Sequence, residues 1–182
     1  MRVSGLVAES QHFIQTWHQL TGQTYPLAMR LRIHRLTTVQ PIVVPAGKLR
    51  HGTIDDRPLL LKWYTDFTRE AIPSFLEDVA RSVDNGLKAQ SIYLWEDGQP
   101  VSLASGRKAL PLAGRIGPVY TPLEYRRKGY ATACVAALSQ RLLNQGCKRC
   151  FLFTDLANPT SNHIYQTIGY QPICDWHEYG LG

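Results

Sequence analysis

One stretch constrains this chain more than any other: Arg126-Arg127-Lys128-Gly129-Tyr130-Ala131, which joins an extended run to a helix. Upstream, Ile116-Gly117-Pro118-Val119-Tyr120-Thr121 carries β-branched and aromatic residues broken by Gly and Pro, the pattern of a short strand. Downstream, Val135, Leu138 and Leu142 recur at steps of three and four along one helix face. Gly146, after Asn144-Gln145, supplies the left-handed stop. A strand, a basic turn and a helix N-terminus together make an anion site, because free N–H groups and the positive end of the helix dipole face the turn. Gly129 lets backbone approach a ligand closely, and Ala131 keeps the first helical turn small. The local reading is a site for phosphate, with pyrophosphate the preferred form.

A second constellation follows the helix. Cys150-Phe151-Leu152-Phe153-Thr154 is a compact apolar strand, and Asp155 to Tyr170 reads as a loop leading into another helix. Asn158 or Thr160 can cap that helix, Pro159 suits its first turn, and Gly169 ends it. The turn Arg126-x-x-Gly129-x-Ala131 resembles the acyl-CoA-binding loop of the GNAT superfamily of N-acyltransferases, Arg/Gln-x-x-Gly-x-Gly/Ala. Asn158, Ser161, Tyr165, Gly169 and Tyr170 are similar to the next motif of that family, Asn-x-x-Ala/Ser…Tyr-x-x-x-Gly-Phe/Tyr. Two motifs in the right order, about one helix and one strand apart, carry the resemblance together.

The resemblance implies an α/β fold of the GNAT kind: a central, mostly antiparallel mixed sheet with splayed parallel strands, flanked by helices. It implies an acetyl-CoA-dependent transferase that passes an acyl group directly to an amine of a small molecule or protein in a ternary complex. On this basis Val119, Tyr120 and Thr121 would pair through their backbone with the pantetheine arm. Arg126, Arg127, Lys128, Gly129, Tyr130, Ala131 and Thr132 would hold the pyrophosphate, Asn158 would contact the cofactor, and Tyr165 would stand by the sulfur as proton donor. A thiol of pKa about 8.5 is a leaving group that a phenol can protonate. The base is open. The strand from Arg115 to Thr121 carries no acid, so Asp155 and Glu70 are the catalytic candidates, with Glu124 able to face either way. Tyr120 reads equally as a substrate contact or a sheet aromatic. His163 reads as a surface residue, and Trp176, His177 and Glu178 either shape the acceptor pocket or close the sheet. A CoA-binding regulatory or scaffold module is the alternative function.

Composition narrows the partners. A chain of 182 residues, 44% hydrophobic and 19% charged, is an ordinary globular composition with enough length for one core. The net charge of +6 raises nucleic acid as a partner, but the basic residues are scattered and no aromatic platform motif accompanies them. No apolar run reaches membrane-spanning length, and Met1 to Gly5 lacks a signal-peptide core, so a cytoplasmic location is the expectation. Cys147-x-x-Cys150 has metal-like spacing without a second pair, so no metal is expected.

Residues 48–182 hold the GNAT-like region. Its expected order begins with a strand at Leu49–Ile54 and a helix capped by Asp55 or Asp56 running to Phe67. A helix from Pro73 to about Val83 follows, ended by Asp84-Asn85-Gly86, and then a hairpin about Glu96-Asp97-Gly98-Gln99. Residues 1–47 form a separate extension: a helix from Glu9 to Leu20, a strand from Leu27 to Val39 whose Met29, Leu31 and Ile33 alternate with the basic Arg30, Arg32 and His34 as suits a half-exposed strand, and a linker marked by Pro41 and Pro45. That extension is read either as the remnant of an upstream GNAT-like unit or as an added helix–strand. As an added piece it extends the sheet or forms a homodimer contact.

Overall fold

The computed structural model describes residues 2–71 and 78–180. Its elements in chain order are β1 (Arg2–Leu6), α1 (Val7–Thr21), β2 (Leu27–Leu36), β3 (Lys48–His51), α2 (Arg57–Ala71), α3 (Val79–Lys88), β4 (Ile92–Asp97) and β5 (Gln99–Leu110). Then follow β6 (Ala113–Tyr120), α4 (Tyr130–Asn144), β7 (Arg149–Asp155), α5 (Pro159–Ile168) and β8 (Gln171–Gly180). Among the described residues the strands form one sheet in the order β1-β8-β2-β7-β6-β5-β4-β3. Every neighbouring pair is antiparallel except β6 and β7, which run parallel. The expected mixed α/β sheet flanked by helices is the observed one.

The β6–β7 pair lasts for three registered residues, Ala113, Gly114 and Arg115 against Arg149, Cys150 and Phe151. Beyond them β6 departs. Gly117 sits at φ 133, which a side chain rarely tolerates, and Pro118 has no N–H to offer a ladder. β5 still follows β6, pairing Ala104 with Val119 and Leu103 with Tyr120. The sheet is therefore split between two parallel strands, with one edge of β6 left open.

Two cores hold the halves. On one face α4 and α5 pack Cys134, Leu138, Leu142, Tyr165 and Ile168 against Leu36, Ile116 and Leu152. α4 lies close to the sheet because Gly106 and Gly114 leave it room: a Cβ there would meet Leu138 at 2.8 Å and Leu142 at 2.9 Å. On the other side α2 and α3 bring Leu60, Trp63, Tyr64 and Val83 onto Leu94, Leu103 and Tyr120.

The end of the second helix and the exposure of His34 depart from expectation, and two strands take places the sequence left open. The helix expected to stop at Asp84-Asn85-Gly86 runs through them to Lys88; its expected start, Pro73 to Glu77, lies outside the described residues. Gly86 there serves close packing, since a Cβ would meet Ile92 at 2.6 Å. The strand at Leu27–Leu36 lies inside the sheet, between β7 and β8, so the sheet is continuous across residue 47. His34, grouped with the exposed basic residues by alternation, is 1% exposed because that face lies under α5. Finally, β1 pairs Arg2–Leu6 with Gly180–Trp176 at the sheet edge, in a segment too short and mixed to show a strand period.

Neither candidate cap, Asp55 or Asp56, holds that place: Thr53 caps the short turn Ile54–Asp56 that leads into α2, and the Asp56 carboxylate closes a capping box back onto it. That carboxylate accepts from Arg50 Nη1 at 2.7 Å and Nη2 at 2.9 Å, from the Thr53 N–H at 2.8 Å and from the Thr53 hydroxyl at 3.1 Å. Arg50 also donates to Glu96, tying β3 and β4 to the helix start. The Arg50 guanidinium holds the Asp56 carboxyl below the usual carboxylate range. A lowered folded-state pKa contributes stability above pH about 4, lost as pH falls through the folded value. Asp56→Asn is expected to cost about 1–3 kcal/mol at pH 7, a drop in Tm of roughly 2–10 °C. Thermal melts against pH should show that gap closing as pH falls through the lowered folded-state value.

Candidate active site

The split between β6 and β7 opens into a cavity of about 900 Å³. Its walls include Val119 and Pro118 of β6, Leu152 to Asp155 of β7, and Asn158, Ser161 and Tyr165 from the start of α5. Further lining comes from Tyr64 and Phe67 on α2, and from Met29, Leu31, Trp176 and Glu178 on β2 and β8. The cavity thus passes from the open edge of β6 to the sheet face opposite α4.

Tyr165 is 8% exposed and borders this cavity. Its ring meets Tyr170 edge-on at 6.0 Å, and its hydroxyl has no hydrogen-bond partner among the described residues. Burial raises its pKa, with Cys134 adding a smaller push, so the phenol keeps its proton throughout the neutral range. A neutral phenol on a cavity wall can serve as a proton donor.

The β7–α5 junction that places Tyr165 is itself tied down. Asn158 caps α5 by accepting from the Ser161 N–H at 3.0 Å. Asp155 accepts from the Ala157 N–H at 2.8 Å. Asn162 donates to the carbonyls of Asp155 (3.2 Å) and Asn158 (2.9 Å), and accepts from the Thr154 hydroxyl at 2.7 Å. Thr154 in turn lies 3.2 Å from His34 Nε2. Since the Thr154 proton is spent on Asn162, His34 donates from Nε2, and its buried Nδ1 has no partner. Burial first, and then Arg32, lowers the His34 pKa and keeps the ring neutral. Sequence reasoning passed over both His34 and Asn162. The only signal was an Asn one helical turn after the cap residue, a spacing shared by many helices.

The basic turn stands at the N-terminus of α4. Arg127 (φ 64) and Gly129 (φ 81) adopt left-handed backbone, and no side chain caps the helix. Ala131 and Thr132 lie in the first turn, partly covered. Gly129 has Pro45 3.8 Å from the position of a Cβ. The Tyr130 hydroxyl donates to Asp97 at 2.6 Å, fixing the turn to the β4–β5 hairpin. Lys128 Nζ lies 5.8 Å from the centre of the Tyr125 ring.

The structure brings Glu70 and Arg126 together. Arg126 Nη2 donates to Glu70 at 2.6 Å and its Nε to the Thr121 carbonyl at 2.8 Å. The Tyr120 hydroxyl donates to Glu70 at 3.1 Å, and burial with that carboxylate pushes the Tyr120 pKa up to about 12. Asp155 borders the cavity, and so does Glu178, which pairs with Arg2 at 3.4 Å. Trp176 borders it as well; His177 instead lies edge-on to Tyr179 at 6.0 Å. Glu124 and His163 are exposed. Cys134, Cys147, Cys150 and Cys174 are all free thiols. Among the described residues no helix is long and apolar enough to cross a membrane.

The family model described as "Acetyltransferase (GNAT) family" matches residues 58–170. Solved structures of low identity share the fold. A GNAT-family acetyltransferase from Colwellia psychrerythraea gives a TM-score of 0.67 at 14% identity, over 100% of this chain and 64% of that one. A GCN5-related N-acetyltransferase from Sphaerobacter thermophilus gives 0.70 at 17%, over 98% and 59%. A predicted acetyltransferase with acetyl-CoA from Clostridium acetobutylicum gives 0.55 at 18%, over 69% and 90%. The chain therefore spans about three-fifths of the length of the first two. Among curated proteins no match is found.

Removing the amide that ties this junction leaves the Thr154 hydroxyl and two carbonyls short of a partner. Asn162→Ala is expected to cost about 2 kcal/mol, seen in thermal melts as a Tm lower by roughly 4–8 °C.

Proposed function

Because the chain belongs to the GNAT acetyltransferase family, we propose that it transfers an acetyl group from acetyl-CoA to an amine of a small molecule or protein within a ternary complex. One observation carries the reading: the open edge of β6 and Tyr165 border the same cavity, at the split between β6 and β7.

The residues present suit such a donor. An uncapped helix N-terminus behind two left-handed residues offers N–H groups to a pyrophosphate, and Arg127 and Lys128 add exposed positive charge. Arg126 would act mainly through its backbone, since its guanidinium is held by Glu70 and Thr121. The free edge at Val119–Thr121 would accept an extended amide-bearing arm as an added strand. When bound, acetyl-CoA supplies a thioester whose acyl carbon takes the amine nitrogen as the carbon–sulfur bond breaks.

The chain's own groups then divide the proton work. Tyr165 donates from its hydroxyl to the departing sulfur and recovers that proton from solvent through the cavity. Asp155, which also lines the cavity, takes the proton the amine releases, directly or through one water. Glu70 fixes Arg126 and Tyr120 and so positions the edge of β6. The apolar lining from Leu152, Phe153 and Trp176 limits water around the reacting atoms.

Calorimetry with acetyl-CoA, then thiol release over an amine panel, tests the reading. Micromolar binding and turnover of at least one amine are expected; no CoA binding refutes it, and binding without turnover on any amine points to a CoA-binding module. Tyr165→Phe should lower kcat by about 10²-fold or more with CoA affinity within a factor of two or three. An unchanged kcat removes Tyr165 as the acid. Gly129→Val forces a β-branched residue to φ 81 beside Pro45, and should weaken CoA binding by about tenfold or more.

A further inference from the structure

Arg107 of β5 and Arg115 of β6 are registered directly opposite each other. Their neighbours Gly106 and Ile116 face α4, so the two arginines project from the opposite face, and both border the cavity. Directly opposed residues of an antiparallel pair hold their Cβ atoms about 4.5–5.5 Å apart, and like charges there repel. No carboxylate relieves them: neither guanidinium forms an ion pair among the described residues. The cavity's acids are placed elsewhere, Glu178 with Arg2 and Asp155 at the β7–α5 junction.

Arg115 is also held in orientation. Its Cζ lies 5.5 Å from the centre of the Phe153 ring, a contact that leaves the N–H donors on the guanidinium edge free. Two adjacent guanidinium groups, unpaired and facing a cavity, form a fork for an oxyanion.

Resting on the acetyl-transfer reading above, the geometry points to an acceptor that is an anionic amine: a small molecule carrying a carboxylate or phosphate. Its oxyanion is bound by Arg107 and Arg115, and its amine reaches toward Asp155 and Tyr165 at the other end of the cavity. The aromatic surface of Phe153 and Trp176 lies against the part between. The arginine pair thus sets specificity for the acceptor, and the basic turn at α4 serves the donor.

The test measures thiol release from acetyl-CoA over matched acceptors. Amino carboxylates and amino phosphates are each set beside the neutral amide or the unphosphorylated amine. The anionic member of a pair is expected to have a kcat/KM at least about tenfold higher, and the better arm identifies the oxyanion. Arg107→Gln and Arg115→Gln should each raise KM for that acceptor by about tenfold or more, with the CoA dissociation constant at the parent value. Arg115→Lys should recover part of the loss. Equal kcat/KM across every matched pair, or an unchanged KM in both variants, overturns the proposal.

If no amine is turned over, the transfer reading itself fails, and calorimetry decides this one separately. With CoA present, N-acetylated amino carboxylates or amino phosphates should bind and their neutral counterparts should not; equal binding, or none, overturns it. Without ligand, Arg107→Gln should raise Tm by roughly 1–3 °C as the repulsion is relieved. A fall in Tm would mean that the guanidinium already has a structural partner, and would overturn it too.

Discussion

The parting of β6 from β7 is the constraint on which the molecule's other features depend. Parallel strands in a sheet normally stay hydrogen-bonded until one of them ends, because an unpaired buried edge is costly. Here the ladder stops after Arg115 and Phe151, and the chain makes that stop tolerable by its choice of residues. Gly117 bends the strand, Pro118 has no donor to lose, and the exposed edge faces a cavity instead of a packed core. The sheet is thus two halves joined at one short seam, each with its own core. Ligand space arises where the halves diverge.

Everything chemical is arranged about that seam. α4 begins just past the end of β6 and offers its N-terminus on one side, and α5 begins just past β7 and sends Tyr165 to the other. The hydrogen bonds through Asn162 hold the second of these starts, and those through Tyr130 and Asp97 hold the first. The unpaired polar groups near the cleft form two chemically distinct sets. Exposed backbone donors and basic side chains stand at α4, and an arginine pair stands on the opposite face.

Legibility in the sequence followed the range of the interactions. The turn at Arg126–Ala131 and the motif from Asn158 to Tyr170 are local, so their helix starts, caps and glycines were readable in order. The hairpin at Gly98 was readable for the same reason. Register and sheet order were not. Arg107 and Arg115 become opposed only through a pairing interrupted by irregularities on both sides, which no spacing rule anticipates. His34 looked like one more basic residue on a half-exposed strand until its partner, 120 residues away, proved to be a buried threonine. Gly86 looked like a helix stop because glycine usually is one; the close approach of Ile92 that requires it is a tertiary fact. Glu70, one of the candidate acids, forms an ion pair with Arg126 across 56 residues, a contact that no local pattern announces.

The interior placement of β2 has a consequence for how the chain reaches this state. β2 is made early, but both its neighbours come from the far end: Arg32 meets Asp175, 143 residues later. Pairings so distant in sequence carry a large loop-closure cost and form late. Until then β2 has two bare edges, the condition under which strands join the wrong partner. The arginines at 30, 32 and 35 keep charge on that waiting strand. Charge of this kind disfavours pairing of a bare strand edge with another chain. The arginines that look scattered in the sequence thus lie where an unpaired strand is most exposed to that error.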